Sequence, residues 1–347
     1  MNKKILNLMV LISHIFLIGC IKSGPTQLNV MTHDSFAVSE AVIKEFEQAN
    51  EVKVNIIMSG DTGSALNQAI LTKASPIADV FYGVDNTFLS RALGADIFET
   101  YSSPILKDIP EQFQLDKNNR ALPVDYGDVC INYDKAYFAE KKLTVPQTLD
   151  DLLKLEYRGL LVVENPAISS PGLAFLLATI AHYGPEGYLH YWQQLRANNL
   201  VVVNDWNTAY YTNFSGSTGK GLQPLVVSYN TSPAAEVIFA SKKLNEAPTA
   251  SLVGPDMCFR QIEFVGILKG THHLALAQKF VDFMLSRTFQ EDMPLKMFVY
   301  PANAKATLPV EFIKFVQMPE KPAFIAPEKI AANLDTWIMQ WRKIVLE

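Results

Sequence analysis

Short apolar runs alternate with segments of helical periodicity in the first third of the chain. Residues 27–32 and 52–58 alternate apolar and polar side chains, and residues 78–82 form a third apolar run, as is typical of strands. The segment after the first run carries an apolar stripe at helical spacing that includes Val42 and Phe46. Three strand–helix units within roughly 70 residues predict a parallel or mixed α/β sheet.

The same alternation continues in the middle of the chain. Residues 148–159 predict a helix that ends at a glycine, and residues 160–163 predict a further strand. A long apolar helix follows, with Ser169 or Ser170 as its N-cap and Pro171 at its first position.

Aromatic and polar side chains are concentrated between residues 201 and 234. A short predicted strand leads into a helix capped by Asn204 or Asp205, on which Trp206 and Tyr210 share a face because they are four residues apart. A second strand ends at Tyr229. Aromatic faces beside polar groups at a strand end suit a ring-shaped, partly cationic ligand, and packing of the helix in the core is the alternative.

Polar pairs follow the first three predicted strands. The pairs are His33 with Asp34, Asp61 with Thr62, and Asp85 with Asn86. Ligands of open α/β sheets bind outside the carboxyl ends of strands, so these pairs are candidates for a binding site. The helix N-terminus at Asp61 is also able to bind an anion, although capping explains its residues equally well.

Length and charge narrow the class of protein. A chain of 347 residues exceeds the usual size of one domain, which predicts two lobes. The formal net charge is −5 and no long basic run is present, so we expect no nucleic-acid partner.

The N-terminus has the features of an export signal. Lys3 and Lys4 precede an apolar run that is too short to span a membrane, which predicts a signal peptide over residues 1–19. The run ends in Leu-Ile-Gly followed by Cys20, which resembles the lipobox of bacterial lipoproteins, where the cysteine is acylated. We therefore expect an exported protein, periplasmic or at the cell surface, held to the membrane through lipidated Cys20 and a tether over residues 20–26.

Two further cysteines, Cys130 and Cys258, lie in apolar, strand-like runs. An oxidising compartment permits a disulfide between them, and two buried thiols are the alternative. We expect no metal site, because no Cys-x-x-Cys motif or Cys/His cluster is present.

Seven segments together resemble one known family. They are HDSFAVSE, ADVFYGVDN, LPVDYG, SSPGLAFLL, DWNTAYY, SYNTSPA and MFVYPAN, in this order. The resemblance is to the thiamine-binding proteins of bacterial ABC importers, which have the type II periplasmic binding protein fold and are related to ferric-ion and spermidine binders. It implies an α/β protein of two lobes joined by a hinge, with a ligand cleft between them.

The resemblance also implies a function and its partners. It implies a monomeric, non-enzymatic protein without a cofactor, which captures thiamine or its mono- or diphosphate and delivers it to an ABC transporter permease. Residues 27–124 and 263–305 would form lobe 1, and residues 125–262 and 306–347 would form lobe 2. The hinge would lie near residues 124–128 and 262–265.

Specific positions match the family's ligand-binding residues. Asp61 and Ser169 resemble residues that face the phosphate or hydroxyethyl end of the ligand, and Trp206 and Tyr229 resemble the aromatic residues of the cleft. Thr62 stands where the family often has glycine. The candidate ligand-binding residues are His33, Asp34, Asp61, Thr62, Ser169, Trp206, Tyr210, Tyr229 and Phe298.

The chain departs from the family at several aromatic positions. His33 replaces a tyrosine, Phe298 replaces a tryptophan, and Glu40 and Ala235 stand near positions where the family has aromatic residues. These changes predict thinner aromatic walls than in the relatives.

Two other functions are weighed against this one. Ferric-iron binding in the same fold is suggested by Tyr210 and Tyr211, because iron-binding relatives use adjacent tyrosinates. A secreted hydrolase is the more remote alternative, since the chain has no G-x-S-x-G elbow and residues 216–220 lack the spacing of a phosphate-binding loop.

Overall fold

One mixed sheet contains all the strands of the described chain. The computed structural model describes residues 25–218 and 220–347, so the predicted signal peptide, Cys20 and most of the predicted tether lie outside the described residues. The strands are β1 (Thr26–Thr32), β2 (Val52–Met58), β3 (Val80–Asp85), β4 (Leu122–Asp134), β5 (Leu161–Glu164), β6 (Val201–Val203), β7 (Leu225–Tyr229), β8 (Thr249–Leu252), β9 (Phe259–Ile267) and β10 (Tyr300–Pro301). Their order is β2-β1-β3-β9-β4-β7-β5-β6, and β8 and β10 also pair with β4.

The helices cover the sheet. They are α1 (Glu40–Asn50), α2 (Thr62–Leu71), α3 (Leu89–Gly94), α4 (Lys135–Lys141), α5 (Ser170–Ala197), α6 (Ser215–Thr218), α7 (Ser232–Ile238), α8 (Leu274–Leu285), α9 (Arg287–Lys296), α10 (Val310–Phe315) and α11 (Pro327–Val345). A π-helical turn covers Thr208–Asn213. Among the described residues, no helix has the length and apolar character needed to cross a bilayer.

Two groups of strands flank a central antiparallel pair. On one side, β1 pairs in parallel with both β2 and β3. On the other side, β5 pairs in parallel with both β6 and β7. The long strands β4 and β9 pair with each other in the centre, from Leu122 opposite Val265 to Val129 opposite Phe259. The mixed sheet expected from the sequence is therefore present.

The central strands β4 and β9 each pair with one of the two groups of strands. The C-terminal part of β9 pairs with β3, from Glu263 to Ile267. The C-terminal part of β4 pairs with β7, from Val129 to Tyr133. Residues near 124–128 and 262–265, where a hinge is predicted, therefore lie where the chain passes from one group of strands to the other.

The predicted helix over residues 148–159 is wrong. The structure has two short 3₁₀ turns instead, Asp150–Leu153 and Leu155–Tyr157, separated by Lys154 in an extended conformation (φ −66°, ψ 145°). The Asp151 carboxylate accepts hydrogen bonds from the backbone N–H groups of Gln147 and Thr148, which stabilises the first turn as an isolated unit.

The long apolar helix begins where predicted. Ser169 is the N-cap of α5, and Pro171 lies in its first turn. The helix changes direction at Gly184, which has non-helical backbone angles (φ 73°, ψ 175°) and precedes Pro185. Proline has no N–H to donate, so it marks the start of a new helical segment.

A disulfide joins the two central strands of the sheet. Cys130 lies in β4 and Cys258 lies one residue before β9, and their sulfur atoms are bonded, with 4.2 Å between the Cα atoms. Both cysteines are fully buried. Of the two alternatives left by the sequence, the structure therefore has the disulfide.

The C-terminal helix α11 contacts elements on both sides of the sheet. The buried Trp341 packs edge-to-face on Trp192 of α5, with ring centroids 5.5 Å apart. Asp335 forms an ion pair with Arg91 of α3. Trp337 is also buried, so both tryptophans of this helix belong to the core.

Candidate functional site

A cavity of about 270 Å³ lies between the two groups of strands. Its wall is built from the loops after β1 and β2, the start of α5, the turn after β6, the end of β7, the start of α7, the middle of β9 and the segment after α9. The residues that line it are His33, Asp34, Ser35, Phe36, Ala37, Asp61, Thr62, Ser170, Pro171, Trp206, Asn207, Tyr211, Tyr229, Ser232, Glu263, Lys296, Met297, Phe298 and Val299.

Trp206 forms one wall of the cavity and is fixed by its neighbours. Its ring stacks on Tyr210, with centroids 5.0 Å apart and an angle of 14° between the planes. Its indole N–H donates a hydrogen bond to Ser228 Oγ at 2.9 Å. The turn that carries it is capped by Asp205, whose carboxylate accepts from the Thr208 N–H at 2.7 Å. Tyr210 therefore lies behind Trp206 rather than in the cavity wall.

Tyr229 enters the wall from the end of β7. Its ring lies beside Gly127 of β4, where a Cβ atom would come within 2.8 Å of Tyr229 Cδ1. The phenol donates a hydrogen bond to Gln261 Oε1 at 3.2 Å. Burial raises the pKa of Tyr229 well above its ordinary value, so the ring is a neutral phenol at physiological pH.

Phe298 completes the aromatic part of the wall. Its backbone is in the left-handed region (φ 58°), which is unusual for a bulky side chain and often marks a functional site. Its carbonyl accepts a hydrogen bond from the Thr231 hydroxyl. Its ring packs against the Phe239 ring, with ring centroids 5.2 Å apart.

The floor of the cavity contains an ion pair. His33 Nε2 lies 3.4 Å from Glu263 Oε1, and both side chains are buried. Burial lowers the pKa of His33, but the charges of Glu263, Asp61 and Asp34 outweigh it and raise the pKa overall. Burial likewise raises the pKa of Glu263, but His33 and the hydrogen bonds to Glu263 outweigh it and lower the pKa overall. Both shifts favour the charged forms of the two side chains.

Tyr82 and Asp125 lie next to the Glu263 carboxylate of this ion pair. The Tyr82 hydroxyl lies 2.6 Å from Asp125 Oδ2 and 3.0 Å from Glu263 Oε2. Burial and the nearby Glu263 charge raise the pKa of Asp125 well above its ordinary value, which favours the neutral form of Asp125 beside Glu263. This arrangement fixes the position of the Glu263 carboxylate.

Asp61 and Asp34 make one side of the cavity acidic. Asp61 caps α2, and its Oδ1 accepts from the Thr62 N–H at 2.7 Å. Burial raises the pKa of Asp61 to about 6. Burial also raises the pKa of Asp34. The Asp34 N–H donates to the Gly60 carbonyl at 2.9 Å, which joins the loops after β1 and β2.

The start of α5 faces these acids from the other side. The Ser169 hydroxyl lowers the pKa of Asp61, and the Ser170 hydroxyl lowers that of Asp85, against the larger effect of burial in both cases. The Gly63 N–H of α2 donates to the carbonyl of Ile168 at 2.8 Å. The two sides of the cavity are therefore in direct contact at this end.

Seven of the nine predicted ligand-binding residues line the cavity. They are His33, Asp34, Asp61, Thr62, Trp206, Tyr229 and Phe298. Ser169 and Tyr210 are buried directly behind the wall. The Asp85 and Asn86 pair does not line the cavity, since Asp85 binds Thr87, and Asn86 binds the backbone of β9.

Sequence reasoning missed several residues of the wall. Glu263 is a lone acid in the apolar strand β9, and Lys296 and Met297 lie at the C-terminal end of α9. The isolated charge of Glu263 in an otherwise apolar strand is the one signal that marks it, because buried carboxylates are rare unless paired. Of the departures from the family, Glu40 is exposed at the start of α1 and Ala235 is buried in α7.

The adjacent tyrosines do not present a pair of metal ligands. Tyr210 and Tyr211 have ring planes 88° apart, and the Tyr210 hydroxyl donates to Glu236 Oε1 at 2.8 Å. Burial raises the pKa values of both phenols. Within the described residues, no group of three or more His, Cys, Asp or Glu side chains is arranged to hold a metal ion.

Comparisons with known proteins agree on one family. The family model described as bacterial extracellular solute-binding protein matches residues 75–314. The thiamine-binding periplasmic protein of Escherichia coli (strain K12) is 31% identical over 322 residues, which are 92% of this chain and 93% of that protein.

Solved structures agree with this sequence match. A periplasmic thiamin binding protein superposes with a TM-score of 0.80 at 29% identity, over 92% of this chain and 96% of that one. A ferric binding protein from Campylobacter jejuni superposes with a TM-score of 0.73 at 18% identity, over 91% of this chain and 99% of that one. The second likeness shows that the fold is shared.

Proposed function

The chain belongs to the bacterial extracellular solute-binding proteins, and from this premise we propose that its cavity captures thiamine or a thiamine phosphate. The two relatives named for thiamine, one a curated protein and one a solved structure, each match more than nine-tenths of this chain. The proposed function is therefore transport: the protein binds the vitamin outside the cytoplasm and delivers it to an ABC importer.

One observation carries this proposal, namely that the cavity combines flat aromatic faces with carboxylates. Trp206, Tyr229 and Phe298 line it together with Asp34 and Asp61. Thiamine has two flat rings, one of which is a permanently cationic thiazolium. An aromatic face attracts such a cation by about 0.5–2 kcal/mol once both are removed from water.

Carboxylates add to this attraction. Coulomb attraction between a cation and a carboxylate is much stronger in a cavity shielded from water than in bulk solvent. Glu263 is held at the floor of the cavity by His33 and Tyr82. Because these groups are already held in place, little conformational entropy is lost when the ligand binds.

We propose that the central strands act as a hinge. β4 and β9 pass between the two groups of strands, and the cavity lies between those groups. Bending near residues 124–128 and 262–265 would open the cavity for ligand entry and release. The division into lobes at 27–124 with 263–305 and 125–262 with 306–347 belongs to this proposal.

The location of the protein follows from the same proposal. Relatives named periplasmic support an exported protein. We propose in addition that Cys20 is lipidated, that the chain acts as a monomer and that it has no cofactor or catalytic activity. Replacing Cys20 with alanine in the full-length protein should release it from the membrane fraction, and retention of this variant would contradict lipid anchoring.

Ferric iron is the second candidate ligand, because a ferric binding protein shares the fold. The geometry of the tyrosines weighs against it, since Tyr210 stacks behind Trp206 and its hydroxyl donates a hydrogen bond to Glu236. A purified protein that is reddish and loses its colour with a chelator would favour iron over thiamine.

Isothermal titration calorimetry tests the proposed function. The protein should be unfolded, dialysed and refolded first, so that the cavity is empty, and then titrated with thiamine, thiamine monophosphate and spermidine. We expect one site per chain for at least one thiamine compound and no heat from spermidine, a flexible cation without rings. No heat from either thiamine compound would contradict the proposal.

A further inference from the structure

Two acidic side chains lie side by side on the central strands, next to the cavity. Asp125 of β4 and Glu263 of β9 are directly opposite each other in the antiparallel register, so their side chains are on the same face of the sheet. Glu263 lines the cavity, and Asp125 is fully buried beside it. Both positions fall within the segments of the proposed hinge, residues 124–128 and 262–265.

The Tyr82 hydroxyl bridges the two carboxyl groups. It lies 2.6 Å from Asp125 Oδ2 and 3.0 Å from Glu263 Oε2. A phenol has one proton and donates it to one of these oxygens, so the second contact is a hydrogen bond only if a carboxyl group supplies the proton. The distances therefore place one carboxyl proton on the pair of Asp125 and Glu263.

This proton is better placed on Asp125 than on Glu263. His33 Nε2 lies 3.4 Å from Glu263 Oε1, and against the effect of burial it lowers the pKa of Glu263. Asp125 has acidic neighbours instead, namely Glu263 and Asp85. Burial and the Glu263 charge raise the pKa of Asp125, which favours its neutral form.

The other groups around the pair do not hold a carboxyl proton as firmly. Burial raises the pKa values of Asp61 and Asp85 to about 6, so both are mostly ionised at pH 7.5. Asp34 is only partly buried. The nearby elements β10 and α9 contribute no charge here, since Pro301 pairs with Asp125 and Gln290 donates to the Val124 carbonyl. The titratable groups that face the pair are His33, Asp34, Asp61, Tyr82, Asp85 and Tyr229.

Resting on the proposed function, we propose that capture of the thiamine cation expels the proton shared by Asp125 and Glu263, so that ligand binding is coupled to proton release at the hinge. A cation in the cavity lies beside Glu263 and favours the ionised forms of nearby carboxyl groups. The O–H bond of the Asp125 carboxyl group breaks, the proton passes to the buffer, Asp125 becomes a carboxylate, and thiamine is chemically unchanged. Because such coupling is reciprocal, thiamine affinity rises with pH wherever the proton is released.

Calorimetry with thiamine at pH 7.5 in phosphate, HEPES and Tris tests this inference. These buffers differ in ionisation enthalpy, so the change of the measured binding enthalpy between them gives the number of protons released. We expect at least about 0.3 proton released per bound thiamine. Binding without a buffer dependence, or with proton uptake, would overturn the inference and leave the proposed function intact. If thiamine binds in none of the buffers, the proposed function fails, and this inference fails with it.

The variant Asp125→Asn removes the proton and keeps the shape of the side chain. We expect it to bind thiamine with less than about 0.1 proton released. The matched control is Asp85→Asn, because Asp85 is equally buried and lies opposite Glu263 on the other side, but bonds to Thr87 instead of Tyr82. This control should release protons as wild type does. Unchanged release in Asp125→Asn would overturn the assignment to Asp125.

His33 is the alternative source of the proton, and the variant His33→Gln tests it. A cation would also favour proton loss from His33, but that loss would break the ion pair with Glu263. We expect His33→Gln to retain at least about half of the wild-type release. Loss of the release in His33→Gln would overturn the assignment to Asp125, and this result stands even if Asp125→Asn does not fold.

Discussion

At the scale of single residues, the aromatic wall is rigid before any ligand arrives. Trp206 is 9% exposed, with one face stacked on Tyr210 and its N–H bonded to Ser228. Tyr229 is held by Gln261 and lies beside Gly127. A wall that is fixed in advance loses little side-chain entropy on binding, which favours affinity.

The face of Tyr229, rather than its hydroxyl, should contribute most to binding. We expect Tyr229→Leu to weaken thiamine binding by about 0.5–2 kcal/mol, roughly 2- to 30-fold, because the cation loses an aromatic face. Tyr229→Phe is the matched control, since it keeps the ring and removes the bond to Gln261. Calorimetry measures both, and a Tyr229→Leu protein with wild-type affinity would show that the ring does not contact the ligand.

Affinity for thiamine should fall as the pH drops from 7.5 to 5.5. Burial raises the pKa of Asp61 to about 6, so this carboxylate becomes neutral across that range and attracts the cation less. His33, whose pKa is raised overall, gains its proton in the same direction. For Asp61 alone, we expect a loss of roughly fourfold in calorimetric affinity.

The raised pKa of Asp61 affects folding stability and thiamine affinity in opposite directions as the pH changes. A raised carboxyl pKa means that the folded protein favours the neutral form, so the contribution of Asp61 to stability is full below its unfolded pKa and is lost as pH rises through about 6. Weaker binding at pH 5.5 is therefore not explained by a loss of stability at Asp61. The Asp61→Asn variant should show a flatter pH profile, and an identical profile would contradict this role for Asp61.

The sequence predicted seven residues of the cavity wall but not their partners. Trp206 and Tyr229 were found because rings beside polar groups at strand ends are visible locally. Glu263 was missed because its role depends on His33, which lies 3.4 Å away in space but far away in the chain. The hydrogen bond at the N-terminus of α2 could not be predicted either, because the Ile168 carbonyl that accepts it lies in a loop that is distant in sequence.

At the scale of elements, the proposed hinge and a disulfide both involve the two central strands, β4 and β9. The disulfide between Cys130 and Cys258 joins them at the end of their paired region, beyond Val129 opposite Phe259. The proposed hinge near residues 124–128 and 262–265 lies further along the same pair. The link therefore holds the strands together on one side of the hinge.

Removing the disulfide should lower stability more than binding. We expect the double variant with Cys130→Ala and Cys258→Ala to lose about 2–4 kcal/mol in the free energy of unfolding, because the link constrains the unfolded chain. Urea unfolding followed by circular dichroism measures this loss. Thiamine affinity at low temperature should stay within about twofold of wild type, since neither cysteine lines the cavity. Unchanged stability would contradict the role given to the disulfide.

Strands were easier to predict than short helices. β2 matches its prediction at both ends, because its apolar pattern is local and uninterrupted. The helix expected over residues 148–159 failed because Asp151 stabilises an isolated turn and Lys154 is extended. Leu152 and Tyr157 are buried from two separate turns, which a sequence pattern alone does not distinguish from one helix.

At the scale of the whole molecule, a close backbone contact joins the two sides of the cavity. The Gly63 N–H donates to the Ile168 carbonyl at 2.8 Å, and a Cβ atom at position 63 would lie 2.7 Å from Ile168 Cα. This approach requires glycine and stabilises the closed arrangement around the cavity.

Gly63→Ala should therefore hinder closure. We expect thiamine affinity to fall about tenfold or more, while each side of the molecule stays folded, because the added methyl group separates the two backbones. Small-angle X-ray scattering with saturating thiamine should show a larger radius of gyration than for wild type. Gly94→Ala is the matched control, since a Cβ atom there meets nothing within 4 Å. If Gly63→Ala binds and compacts as wild type does, this contact does not limit closure.

A crystal structure of the refolded protein with thiamine tests the central claim most directly. We expect one thiamine in the cavity, with its rings against Trp206 and Tyr229 and its cationic ring near Asp34, Asp61 or Glu263. Thiamine bound elsewhere on the molecule, or a cavity that stays empty at saturating thiamine, would contradict it.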